Sequence, residues 1–215
     1  MAATDLKKYV GFGFIALFTV FLINAFVARI PLEYDSPLWN VRMWWFIFGY
    51  FFQIAAVSYL GFYRKCQSTI ITKIGCILYY ILMLIYLINQ ISYKFTGNSP
   101  IYIPGVSEYL YSLVLYAPGL LLLVWGSKLW LPSKITLSLA VAFDVACDMI
   151  WARLIPMYQN MSEYTFDETD RLQSIINILS YFSTFLILTT LILSIVWLCM
   201  KKKSASVSRP RIDEI

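Results

Sequence analysis

The amino-acid sequence predicts an all-α membrane protein, a six-span transmembrane helical bundle, on three observations. The 215 residues are 60% hydrophobic and 13% charged. Soluble domains run nearer about 45 to 50% and about 25%. Mean hydropathy is +0.70, too apolar for a disordered chain and too poor in polar surface for a soluble domain of this size. Six apolar runs also have the length a bilayer demands, since a hydrocarbon core of about 30 Å takes roughly 20 helical residues.

The spans are expected at Val10 to Ile30, Met43 to Phe62, Ile74 to Tyr93, Leu110 to Leu129, Ile135 to Met157 and Ile175 to Met200. Residues 1–200 then form the membrane domain and 201–215 a basic cytoplasmic tail. Lys7-Lys8 before the first run resemble the start of a secretory signal. That run, however, exceeds a typical apolar region of roughly 7 to 15 residues. Phe26 also stands where a small residue should precede a cleavage at Ala28, so an uncleaved anchor is expected. The fourth span carries Pro118-Gly119 near its middle, which predicts a kink whose freed carbonyl is met by a neighbouring helix or water. The spans read as three hairpins, of which the last two open alike, with Ile71-Thr72-Lys73-Ile74 and Lys134-Ile135-Thr136. Duplication and mere regularity of helix length both produce such a pattern.

Orientation follows from Lys and Arg, which are retained on the cytoplasmic side. Lys7, Lys8, Arg64, Lys65, Lys73, Lys128, Lys134, the Lys201-Lys202-Lys203 run, Arg209 and Arg211 gather on one side, while the other has only Arg29, Arg42, Lys94, Arg153 and Arg171 at its rim and gathers Glu33, Asp35, Glu108, Glu163, Asp167, Glu168 and Asp170. Both termini are therefore expected in the cytosol. The net charge of +5 belongs to this rim, and with no soluble domain to carry a binding face no nucleic-acid partner is expected. The tail should lie disordered against anionic lipid, with Ser204, Ser206 and Ser208 open to phosphorylation.

Asn160-Met161-Ser162 is a glycosylation sequon on the far side, which fits a eukaryotic endoplasmic reticulum, endomembrane or plasma membrane. Cys76 and Cys147 fall within spans, while Cys66 and Cys199 fall at the basic rim, so a lumenal disulfide is not expected. The rim cysteines offer palmitoylation or, more simply, small apolar filling.

The chain has no histidine. That excludes His-ligated metals, His-ligated haem and any catalysis built on a His base within the chain. No cofactor and no metal site is expected. The strongest chemical signal is Asp144 and Asp148 in the fifth span. An acid near the bilayer centre costs at least about 2.5 kcal/mol on insertion scales, so something must offset it. Spaced i and i+4, the two carboxylates share one helix face with Trp151 and should form a coupled site that binds a ligand, a proton or a cation. Equally, they can serve as interhelical glue to Asn24, Gln53, Asn89, Gln90, Ser180, Ser183 or Thr184. Asn89 and Gln90 near the outer end of span three are read as interhelical contacts or pathway lining. Trp44-Trp45 and the other aromatics are read chiefly as interface belts and packing.

Known intramembrane motifs do not fit. The Asp-x-x-x-Asp pair lacks the upstream Asp-Gly and Ala-Arg elements of CDP-alcohol phosphatidyltransferases, and no Gly-x-Gly-Asp element of aspartyl proteases occurs. Lys128 and Lys134 fall in a loop, which leaves no lysine for a retinal Schiff base. Locally, Phe51-Phe52-Gln53 and Tyr116-Ala117-Pro118 resemble elements of the sigma-2/emopamil-binding family of four-span sterol-binding proteins. The chain departs from that family in two extra spans, a short first outer loop and the absence of acids from spans one to four.

These residues point to a multi-pass membrane protein that binds or transports a small solute, ion or lipid through an intramembrane acidic site. A non-catalytic accessory subunit or assembly factor, held by partner membrane subunits, is the alternative. An intramembrane lipid-modifying enzyme is third, because only the aspartates offer catalytic groups.

Overall fold

The computed structural model describes residues 3–31, 36–102, 106–159 and 166–200. The sequon at Asn160 and the tail 201–215 lie outside the described residues. Five helices are long and apolar enough to cross a bilayer: α1 (Ala3–Arg29), α2 (Pro37–Phe62), α3 (Ile70–Thr96), α6 (Leu131–Gln159) and α7 (Phe166–Cys199). The other crossing is composite, running through α4 (Val106–Leu110), a π-helical turn (Tyr111–Tyr116) and α5 (Ala117–Gly126). It rises about 30 Å at about 1.5 Å per residue, and its apolar part is shorter than the other five. The six-span class read from composition thus holds, as a multi-pass helical architecture.

Several helices overrun the predicted spans. Hydropathy finds only the apolar middle, whereas a helix continues through polar turns once its ends are capped. Ser36 Oγ accepts from Leu38 N at 3.3 Å with Pro37 following, which starts α2 ahead of Met43. Thr69 Oγ1 accepts from Thr72 N at 3.1 Å and starts α3 ahead of Ile74. Gly97 ends α3 at a φ of 72°, a left-handed conformation that glycine adopts without strain. The fourth crossing stops earlier, at Gly126 instead of Leu129. Its last carbonyls are met by Lys134, whose Nζ donates to Ser127 O at 2.8 Å and Trp125 O at 3.2 Å. Lys134 therefore lies in the first turn of α6 and not in the loop where the sequence reading put it.

Neighbours in sequence are neighbours in space. α1 packs on α2, α2 on α3, α3 on α5, α4 and α5 on α6, α6 on α7, and α7 returns to α1. The bundle is a closed ring in which the start of α1 and the end of α7 meet on one side, where Lys7 Nζ donates to Met200 O at 2.7 Å. That side is called terminal below and the opposite side far. The hairpins that open alike in sequence differ in form, since α6 and α7 are continuous helices while α3 pairs with the composite crossing.

The dry core fills the terminal half. Phe14, Leu17 and Phe18 of α1 meet Val57 and Leu60 of α2, Cys76 of α3, Leu120 and Leu123 of α5, and Leu137 and Val141 of α6, all buried. Close approach of α3 and α5 depends on glycine: a Cβ on Gly75 would lie 2.3 Å from Leu123 N and 2.7 Å from Gly119 O. Outward faces such as Phe52, Ile77, Leu139, Phe185 and Ile192 are exposed on the ring and suit contact with lipid. Trp44 behaves as a belt residue, with Lys94 Nζ 5.3 Å from its ring centre. Trp45 does not, because it turns inward and its Nε1 donates to Asn24 Oδ1 at 3.0 Å. Cys66, Cys76 and Cys147 are buried as small fillers, so of the two rim cysteines only Cys199 is exposed.

Candidate functional site

Asp144 lies halfway along α6, with Asp148 one turn nearer the far side. What faces them is set by the composite crossing. Pro118 has no N–H to donate, and its ring would clash with the carbonyl one turn back in a regular α-helix. The chain widens instead: Ala117 N–H reaches back to Ser112 O, five residues away, and the turn is π-helical. The kink expected at Pro118 thus takes the form of a π turn that meets its own carbonyl.

This turn aims two hydroxyls at the acids. Tyr116 donates its phenolic proton to Asp144 Oδ2 at 2.6 Å, and Ser112 Oγ donates to Asp148 Oδ2. Both pairs are spaced i and i+4 on antiparallel helices, so Ser112–Asp148 and Tyr116–Asp144 form two rungs. An ionised carboxylate accepts about four hydrogen bonds, so these two hydroxyls alone do not saturate the pair.

Both acids line a cavity of 380 Å³ at the centre of the ring, walled by residues of α1, α2, α3, α6, α7 and the π turn. Its volume falls within the roughly 300 to 1,000 Å³ of small-molecule sites. Tyr50, Tyr79, Tyr86, Tyr116, Phe21 and Trp151 provide aromatic wall, and Asn24, Gln53, Ser180, Ser183 and Thr184 provide polar atoms. Tyr79 is held by donating to Gln53 Oε1 at 2.6 Å. A second cavity of 270 Å³ shares Tyr50, Tyr86 and Asp148 with the first and extends through Asn89 and Gln90 to Ser99 and Tyr102 at the far side. Asp148 therefore borders both.

Two features bear on what the central cavity can hold. Arg29, at the end of α1, donates through Nη2 to Ser180 O at 2.7 Å, Ser180 Oγ at 2.8 Å and Thr184 Oγ1 at 2.7 Å, and its guanidinium lies 4.7 Å from the Tyr181 ring centre. A positive charge thus backs the α7 wall within electrostatic reach of Asp144. Ser183, only 2% exposed, lies beside the Asp144 carboxylate, yet its hydroxyl makes no hydrogen bond of normal geometry. Buried hydroxyls are nearly always bonded, so an unspent one on a cavity wall is unusual.

The other residues singled out from sequence divide between the cavities. Trp151 joins the central one. Asn89 and Gln90 line only the second, where Asn89 Oδ1 accepts from Ile101 N at 3.0 Å and Gln90 Nε2 donates to Met43 Sδ at 3.4 Å. Of the residues expected as glue, Ser183 lies beside Asp144, and Ser112 and Tyr116, which were not among them, donate to the two acids. A signal was available in the sequence, namely a second i, i+4 pair of hydroxyls, one turn ahead of the only proline inside the fourth span. Among the described residues, no group of three or more acids and cysteines is arranged to hold a metal. No protein-family model, curated protein or solved structure matches the chain at a significant level.

Proposed function

We propose that this chain binds a small solute in the central cavity of its bundle through Asp144 and Asp148, and carries it to or from the far side of the membrane. What supports the reading above all is that both acids open onto one 380 Å³ cavity, and that Asp148 also lines an adjacent second cavity toward the far side. Intramembrane acids that only tie helices together need no such space. In this reading the apolar terminal half is the closed barrier of an outward-facing state. Both termini lie in the cytosol, and the second cavity opens to the lumen or exterior of a eukaryotic secretory-pathway or plasma membrane.

Purification from mild detergent tests it. A monomer or homo-oligomer that releases a small molecule on denaturation, detected by mass spectrometry and missing from Asp144→Asn, is the expected result. A stoichiometric complex with other membrane subunits and no small molecule would overturn it in favour of the accessory subunit. For the orientation, a tag after Ile215 should resist protease added to intact cells, and its digestion would reverse the assignment.

A further inference from the structure

The occupant of the central cavity can be narrowed by charge, size and wall chemistry. Resting on the reading above, we infer that it is an organic monocation, an ammonium compound with an apolar body, whose nitrogen sits among Asp144, Asp148 and Ser183. Charge is the first ground. When both carboxylates are ionised, the Arg29 guanidinium offsets one of the two charges and one is left for a bound cation to balance. Arg29 does not supply that balance by direct pairing, because its Nη2 bonds go to Ser180 and Thr184.

Size and wall disfavour a bare divalent ion. Hard cations such as calcium take about six to eight oxygens at about 2.3 to 2.6 Å, usually from several carboxylates, whereas the space here is 380 Å³ with two carboxylates on a largely aromatic wall. Tyrosine and tryptophan rings attract cations electrostatically, and best those that are weakly hydrated, as alkylated ammonium groups are. The apolar part of such a ligand finds Phe21, Met83 and Ile187 on the same wall.

Ser183 is the independent ground. Its hydroxyl is buried beside Asp144 without a hydrogen bond of normal geometry, and even when it donates to that carboxylate its oxygen remains free to accept an ammonium N–H. Tyr116 and Ser112 already donate to the acids, so the pocket has acceptors to spare where a donor-rich cation fits.

The test uses the purified full chain in mild detergent at pH 7, with binding read by calorimetry. The probes are phenethylamine, its neutral counterpart 2-phenylethanol, choline, and sodium chloride at matched ionic strength. We expect at least one of the two ammonium probes to bind, with phenethylamine about tenfold or more ahead of 2-phenylethanol. Sodium should not compete. Asp144→Asn and Asp148→Asn should each bring phenethylamine down to the affinity of the alcohol. Ser183→Ala is the sharper variant, because it leaves both carboxylates in place: its thermal midpoint should change little while ammonium affinity falls several-fold.

Equal binding of amine and alcohol would overturn the cation assignment and leave the solute-binding reading standing. So would competition by sodium, or ammonium binding that persists in both Asn variants. Failure of both ammonium probes to bind also overturns it, and with no co-purified small molecule either, the carrier reading falls too. Should the Asn variants not fold, the amine-against-alcohol comparison on the unaltered chain still decides.

Discussion

The terminal and far halves of the bundle are built from the same six crossings, yet they solve the space between helices differently. In the terminal half large apolar side chains meet across the axis, and Gly75 and Gly119 let α3 and α5 approach until backbone touches backbone. In the far half the composite crossing widens into a π turn, polar side chains face inward, and two adjacent cavities that share lining residues remain. Lipid is as apolar as a leucine side chain, so helices in a membrane associate through packing and hydrogen bonds, without a hydrophobic drive between them. The terminal half relies on the first and the far half on the second. Stability should therefore reside in one half and ligand recognition in the other.

Substitution at the backbone contact should have the largest effect. Gly75→Val places a branched side chain where even a Cβ would lie 2.3 Å from Leu123 N, which backbone cannot yield. Loss of monodisperse folded protein on size-exclusion chromatography is expected. A normal elution profile would show that α3 and α5 are less tightly joined than described.

Truncating one aromatic in each half compares them directly. Phe14 is fully buried, so Phe14→Ala should cost about 3 kcal/mol or more by opening a void in a packed core. Trp151 already borders a cavity, and Trp151→Ala enlarges existing space, costing about 1 kcal/mol while removing ligand affinity. Thermal unfolding in detergent measures both, and equal costs would erase the distinction between the halves.

Tyr116→Phe keeps the ring and deletes the proton donated to Asp144. Intramembrane hydrogen bonds average about 0.6 kcal/mol and reach about 1.7, so a loss of about 1 kcal/mol is expected, with ligand affinity altered as well. No change in either quantity would show the rung to be idle.

The smallest effect belongs to the far-side rim, where Arg153 Nη2 meets Glu168 Oε1 at 2.7 Å with both side chains well exposed. Arg153→Gln should shift stability by no more than about 0.5 kcal/mol. A larger loss would place part of the fold's stability in the far half.

The parts of the site read in advance were those that local spacing can show. Asp144 and Asp148 were visible because an acid within an apolar run stands out and because i, i+4 places a pair on one face whatever surrounds it. Trp151 followed from the same face, and it does join them on the cavity wall. Ser112 does not stand out because hydroxyl-bearing residues are common in spans, Tyr116 stands out only within Tyr116-Ala117-Pro118, and their role against the acids appears only when Pro118 is followed through to the π turn. Arg29 read as a rim charge, since nothing near it in the chain announces Ser180 and Thr184 as its partners.

By itself the sequence determined the membrane class, the number of crossings, their order and the acidic face of the fifth. These depend on hydropathy over about 20 residues and on helical periodicity, both local properties. Only the tertiary structure decided how each helix is rotated about its axis, and with that the terminal core, the two rungs, the unspent Ser183 hydroxyl and the adjacent cavities. The physical reason lies in the solvent. In water an amphipathic stripe marks the side that turns inward, but in lipid both the outward and the inward faces of a helix can be apolar, so Phe14 in the core and Phe12 toward lipid look alike until the helices are packed.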